Sequence, residues 1–166
     1  MEKVVHYTSK ENWERIQESG FLLPKTGPND CCGELSDRVK NMFKADSYLV
    51  CMPRPLDNGW VESGLMDYVL KYTTGEVALS VPILDRKKSF VREHAHGSSK
   101  RFMELWGEDL FKEVEEGRLD SNDSRVLEGE NKYLESTVPL DEYDGSYLAP
   151  EIWLAQTTPV DKLTRI

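Results

Sequence analysis

The stretch that most restricts how this chain can fold is its opening, from Val4 to Leu23. Val4 and Val5 supply β-branched residues for a short strand that runs out through His6-Tyr7-Thr8. Ser9 follows as an N-cap, able to accept a hydrogen bond from an orphan backbone N–H of the next turn, so a helix is predicted from about Lys10. Trp13 and Ile16 fall three apart on one face of that helix, while Glu11, Glu14, Arg15, Gln17 and Glu18 turn to water. Gly20 suits the left-handed residue that ends a helix, and Phe21, Leu22 and Leu23 are expected to lead the chain back into the core. His6 therefore lies at the end of a buried strand beside a helix start, where an imidazole points either into a cleft or into a satisfied core position.

A chain of 166 residues with 39% hydrophobic content can bury one sizeable core, which predicts a single domain over residues 1–166. No apolar run approaches the roughly 20 residues needed to cross a bilayer. The start Met-Glu-Lys lacks the apolar stretch of a secretory signal, so a cytoplasmic protein with no membrane contact is expected. Cys31, Cys32 and Cys51 form an odd set without CxxC spacing, which indicates neither a disulfide framework nor a zinc site. The net charge of −9 argues against an extended nucleic-acid contact, which normally needs clustered lysine and arginine. The densest cationic run, Asp85 to Arg92, reads as a solvated loop. His94-Ala-His96 has no Cys or paired carboxylate nearby to complete a metal site, so no metal is predicted and a surface loop is expected there.

Further along, Pro24 to Gly33 carries the Pro, Gly, Asn and Asp of a loop. Helical spacing appears in Leu35, Val39, Met42 and Phe43, again over Trp60 to Tyr72, and in the apolar face of Ser98 to Glu116. Ser47 to Met52, Glu76 to Leu84, Tyr133 to Pro139 and Glu151 to Gln156 read as strands, with Val160 to Ile166 as a last edge strand. Asp120 to Asn131 is polar and acidic and reads as an exposed loop. Helices early and strands late predict an α+β domain around a mostly antiparallel or split sheet.

The opening resembles the NAD-binding segment of ADP-ribosyltransferases of the poly(ADP-ribose)-polymerase-like and DarT-like kind. In that superfamily a first-strand histidine and a small hydroxyl motif precede a helix of pattern Asn-x-x-x-Ile-x-x-x-Gly-Leu; the matching residues here are His6, Thr8, Asn12, Ile16, Gly20 and Phe21. Where the family often has glycine after the histidine, this chain has Tyr7. The C-terminal stretch Tyr147-Leu-Ala-Pro-Glu-Ile-Trp-Leu-Ala-Gln156 resembles the segment that carries the family's catalytic glutamate. The resemblance implies an ADP-ribosyltransferase-like split sheet and NAD as co-substrate, with His6 at the ribose and the Tyr7 main chain at the nicotinamide amide. It further implies Thr8 in the same segment, a tyrosine stacked on the nicotinamide, and Glu151 as catalytic residue. Tyr48 is the positional candidate for the stacking tyrosine, with Tyr68, Tyr72 and Tyr133 as alternatives; Glu135 is the rival of Glu151.

The chemistry asks for such a carboxylate, because breaking the nicotinamide–ribose bond develops an oxocarbenium ion, as glycoside hydrolysis does. Three readings stand on the sequence: transfer of ADP-ribose to a protein, nucleic-acid or small-molecule acceptor; an RNA 2′-phosphotransferase on the same fold; and a binding module without catalysis. The acidic balance and the shortage of arginine near His6 count against the second.

Overall fold

The computed structural model describes residues 2–25, 47–54, 60, 75–94 and 124–166. The helices expected at 35–43 and 98–116 and, apart from Trp60, the one expected at 60–72, together with Cys31, Cys32, Tyr68, Tyr72 and His96, lie outside the described residues.

The predicted opening forms β1 (Lys3–Thr8), then α1 (Lys10–Ser19), then the two-residue β2 (Phe21–Leu22). Ser9 caps the helix, its hydroxyl accepting the Asn12 N–H at 3.1 Å. The Glu76 carboxylate accepts the Lys10 N–H at 2.8 Å, placing negative charge on the positive end of the helix dipole. Gly20 ends the helix at φ 76°, a conformation that L side chains rarely adopt. Ile16 is the buried anchor of α1 and Trp13 packs beside it on the core.

Six further strands complete the described sheets: β3 (Leu49–Pro53), β4 (Val77–Pro82), β5 (Phe90–Glu93), β6 (Val138–Pro139), β7 (Pro150–Leu154) and β8 (Thr158–Pro159), with β9 (Thr164–Arg165) added at one edge. A helix, α2 (Ser124–Glu135), precedes β6, and a 3-10 turn at Val160–Lys162 precedes β9. The main sheet runs β6-β5-β7-β3-β1-β4-β9, and β2 pairs with β8 apart from it. Every described pairing is antiparallel. The chain is thus an α+β domain with a mostly antiparallel sheet.

Strand alternation sorts the side chains into two faces. Leu49 and Cys51 of β3, Ile152 and Leu154 of β7, and Val77, Leu79 and Val81 of β4 join Val4 and Ile16 in the larger core. On the opposite face of the β5–β7–β3 region, Phe90, Trp153 and Tyr48 form a second, aromatic cluster. Among the described residues no helix is long and apolar enough to cross a membrane.

Four expectations need correction. Of Phe21, Leu22 and Leu23, only Leu22 is buried; its neighbours are each 47% exposed, because an extended segment can send only alternate residues inward. The Asp85–Arg92 run is not simply a solvated loop: its end is β5, and Arg92 is fully buried. Residues 124–131 are helical, not loop, and Tyr133 and Leu134 continue that helix. Polar composition and a mid-helix Gly129 conceal the pattern, since glycine costs about 1 kcal/mol relative to alanine there. His94, expected on a surface loop, has a side chain only 14% exposed.

Candidate functional site

The β1–β3 joint is short. Val4 pairs with Pro53 and Val5 with Met52, and there the ladder stops, whereas β1 stays paired with β4 through Thr8↔Val77. Beyond that point β3 gives Leu49, Val50 and Cys51 to β7. A cleft of about 700 Å³ includes this parting in its wall. His6, Tyr7 and Thr8 line it from β1, Leu49 and Val50 from β3 with Tyr48 just before it, Asn12, Arg15 and Ile16 from α1, Glu151 from β7, and His94 from just after β5.

Ladder alternation fixes where the β1 main chain points. The Ile83 N–H donates to the Glu2 carbonyl, and the Ile166 N–H donates to the Ala78 carbonyl on the β9 side of β4. Hydrogen-bonded and non-hydrogen-bonded pairs alternate in an antiparallel ladder. Tyr7, opposite Ala78, is therefore a non-hydrogen-bonded partner of β4. Its N–H and C=O face the β3 side, where the described ladder has no residue opposite.

His6 crosses the same gap with its side chain. Its Nδ1 donates to the Val50 carbonyl at 2.9 Å, which sets the tautomer in the neutral ring and makes Nε2 the acceptor. Burial lowers the His6 pKa, against the opposing pull of the Val50 carbonyl, so the neutral ring predominates near pH 7.

Glu151 is held from several sides. Its Oε2 accepts the Tyr133 O–H and, at 2.9 Å, the Trp153 indole N–H. His94 Nδ1 lies 3.4 Å from Oε1. Burial pushes the carboxyl up, yet the His94 imidazole and the Tyr133 and Trp153 donors together bring it down to about 2. The group is thus an ionised carboxylate with a side chain only 12% exposed. His94 is placed by two contacts of its own. Its N–H donates to the Ala149 carbonyl at 3.0 Å, and its ring stacks on Trp60, whose indole N–H donates to the Pro150 carbonyl at 3.1 Å.

All five residues singled out in the sequence, His6, Tyr7, Thr8, Tyr48 and Glu151, thus line one cleft. Tyr48 does so in a different way from the others. Its side chain is fully buried, edge-on to Phe90 and Trp153 at centroid distances of 4.8 and 6.1 Å, so it backs the wall and offers no ring face. Glu135 is exposed at the end of α2 and is not part of the cleft lining. Tyr133 reaches the site by bonding Glu151, not as a stacking ring.

Sequence reasoning missed His94, Trp153 and Trp60 as parts of the site. The spacing Glu151-x-Trp153 did carry a signal, because residues two apart on a strand share a face. His94 carried none, since its approach to Glu151 depends on β5 pairing with a strand more than fifty residues away. Among the described residues no group of three or more His, Cys, Asp or Glu side chains is gathered to hold a metal ion. Comparison of the chain with protein-family models, with curated proteins and with solved structures gives no match.

Proposed function

We propose that this protein is an ADP-ribosyltransferase-like enzyme that consumes NAD, transferring ADP-ribose to a protein, nucleic-acid or small-molecule acceptor and releasing nicotinamide. The observation that carries the reading is the meeting, in one cleft, of a buried ionised carboxylate, an imidazole of set tautomer and a main-chain edge that the sheet leaves open. The cleft volume falls within the range of small-molecule and cofactor sites.

Each group has a task that suits its chemistry. The Tyr7 N–H and C=O can take a planar carboxamide as a strand would take its neighbour, which is what nicotinamide presents. His6 Nε2, as acceptor, suits a ribose hydroxyl, and Thr8 belongs to the same wall. Glu151 stabilises the positive charge that develops at the ribose carbon as the electron pair of its bond to nicotinamide leaves with the ring. Because Oε2 is held by Tyr133 and Trp153, the protein's own groups orient the carboxylate, and Oε1 keeps acceptor capacity for a 2′-hydroxyl. Tyr48 supports this arrangement from behind through Trp153.

A binding module without turnover draws support from one observation, the buried Tyr48 ring. Two measurements separate the readings. Titrating NAD while following Tm should raise the Tm of the wild type and not that of His6→Ala, since a ligand that binds only the folded state stabilises it by mass action. Nicotinamide release should then be lost in Glu151→Gln with most NAD affinity kept, because the carboxylate acts on charge present only in the transition state. No Tm rise at millimolar NAD would refute the proposal, and binding without nicotinamide release under any acceptor condition would favour the module.

A further inference from the structure

Arg92 is a fully buried guanidinium outside the cleft lining. Its Nε donates to the Thr137 hydroxyl at 3.0 Å, while Nη1 and Nη2 are buried and have no hydrogen-bond partner among the described residues. Three aromatic rings surround its Cζ, with centroids at 4.9 Å for Phe90, 5.1 Å for Tyr133 and 4.7 Å for Trp153. Taking a charge out of water is costly unless it is compensated, and the negative ring faces supply the compensation seen here. A leucine or methionine would fill such an aromatic site without that cost, so the charge calls for a further explanation.

The ladder gives one. Arg92 and Glu151 are direct cross-strand partners on β5 and β7, as are Phe90 and Trp153, so all four side chains leave the same face. The described contacts include no ion pair between Arg92 and Glu151; the carboxylate meets Tyr133, Trp153 and His94 instead. Tyr133 and Trp153 are therefore shared. Their ring faces receive the guanidinium, and their polar tips both donate to Glu151 Oε2. A cation over a ring draws electron density from it and makes its O–H or N–H a stronger donor, so the hydrogen bonds polarise in series.

We propose that Arg92 is a positioning residue for Glu151, acting through the Tyr133 and Trp153 rings to fix the two donors that orient the carboxylate toward the cleft. The proposal rests on the transferase reading only for the use made of Glu151; the network itself is made of protein groups alone. Among the described residues, the other titratable groups that bear on Glu151 are His94, at 3.4 Å, and Cys51, whose thiol is pushed up by burial and by the Glu151 charge.

The test uses the ligand-free full chain carrying 15N-tryptophan and 13C-carboxyl-labelled glutamate, with Trp153→Phe and Glu151→Gln identifying the two signals. In Arg92→Met the Trp153 indole N–H resonance should move upfield as its hydrogen bond weakens, and Glu151 should titrate about one pH unit higher. Arg92→Lys, which keeps a charge but loses the flat stacking, should fall between the wild type and Arg92→Met. Nicotinamide release by Arg92→Met should drop about tenfold at saturating NAD with KM little changed, the pattern of a weakened transition-state interaction. Unchanged indole and carboxyl signals in folded Arg92→Met overturn the proposal. Should that variant not fold, wild-type signals in folded Arg92→Lys overturn it equally. Shifts of both signals with no NAD turnover in the wild type retain the Arg92 network and remove the transferase reading.

Discussion

Replacing Glu151 by glutamine should destabilise the protein near neutral pH and erase part of its sensitivity to acid. The carboxyl falls from an ordinary value of 4.5 to about 2 in the folded state, which corresponds to roughly 3 kcal/mol favouring folding when the group is ionised in both states. Because the folded value is depressed, that contribution is complete above pH 4.5 and is lost as pH falls toward 2. Between these values the unfolded chain binds a proton that the folded chain does not. By pH 3 about 2 kcal/mol of it is gone. Glutamine keeps an oxygen for Tyr133 and Trp153 but has no charge, so it can reproduce the geometry and not the linkage. Urea unfolding of both proteins at pH 7, 5 and 3 measures the difference directly. The gap between wild type and variant should be about 3 kcal/mol at pH 7 and should narrow by about 2 kcal/mol at pH 3. A gap that stays constant from pH 7 to pH 3 would falsify the assignment of Glu151 as a carboxylate stabilised by its neighbours.

Other consequences follow from single contacts. Ser9→Ala removes the cap on α1 and should cost about 1 kcal/mol, seen as a Tm lower by roughly 2–4 °C. The buried Cys51 thiol, pushed up by burial and by Glu151, should resist alkylation at pH 8 in the native protein and react once urea unfolds it; site-resolved mass spectrometry reports this, and rapid native labelling would contradict its burial. Glu93 accepts the Leu148 and Ala149 N–H groups at 2.7 and 2.9 Å, so Glu93→Leu should leave two donors unmet, cost about 1–3 kcal/mol in urea unfolding, and speed proteolysis between Tyr143 and Ala149. Wild-type cleavage there would show that another group holds the segment.

The parts of the fold that were legible in the sequence are those whose signals are local. Ser9, Ile16 and Gly20 specify α1 within twelve residues, and the alternation of Val77, Leu79 and Val81 specifies β4. His6 and Glu151 were found through the resemblance of short segments, and both line the cleft. What was illegible depends on pairing between distant strands. Arg92 looks like one more cation in a basic run until β5 pairs with β7 and encloses it among Phe90, Tyr133 and Trp153. The reading of Tyr48 as a stacking ring failed to include its packing neighbours, because Phe90 and Trp153 come from strands that sequence proximity does not connect. In α2 a helix was hidden by its charge and its Gly129, although the exposed Glu128–Lys132 pair at 2.8 Å has the i,i+4 spacing of a helix face.

The early end of the β1–β3 ladder amounts to a sheet edge placed inside a sheet. Exposed edges usually invite other chains to pair, and proteins blunt them with charge, proline or a cover. This one is protected by its size. A pairing strand needs several successive main-chain groups, but on the open side of β1 only Tyr7 is left between the paired Val5 and the end of the strand at Thr8, and the His6 imidazole is already bonded across to Val50. Among the described residues this inner edge is long enough for one amide group and too short to template the pairing of another polypeptide strand.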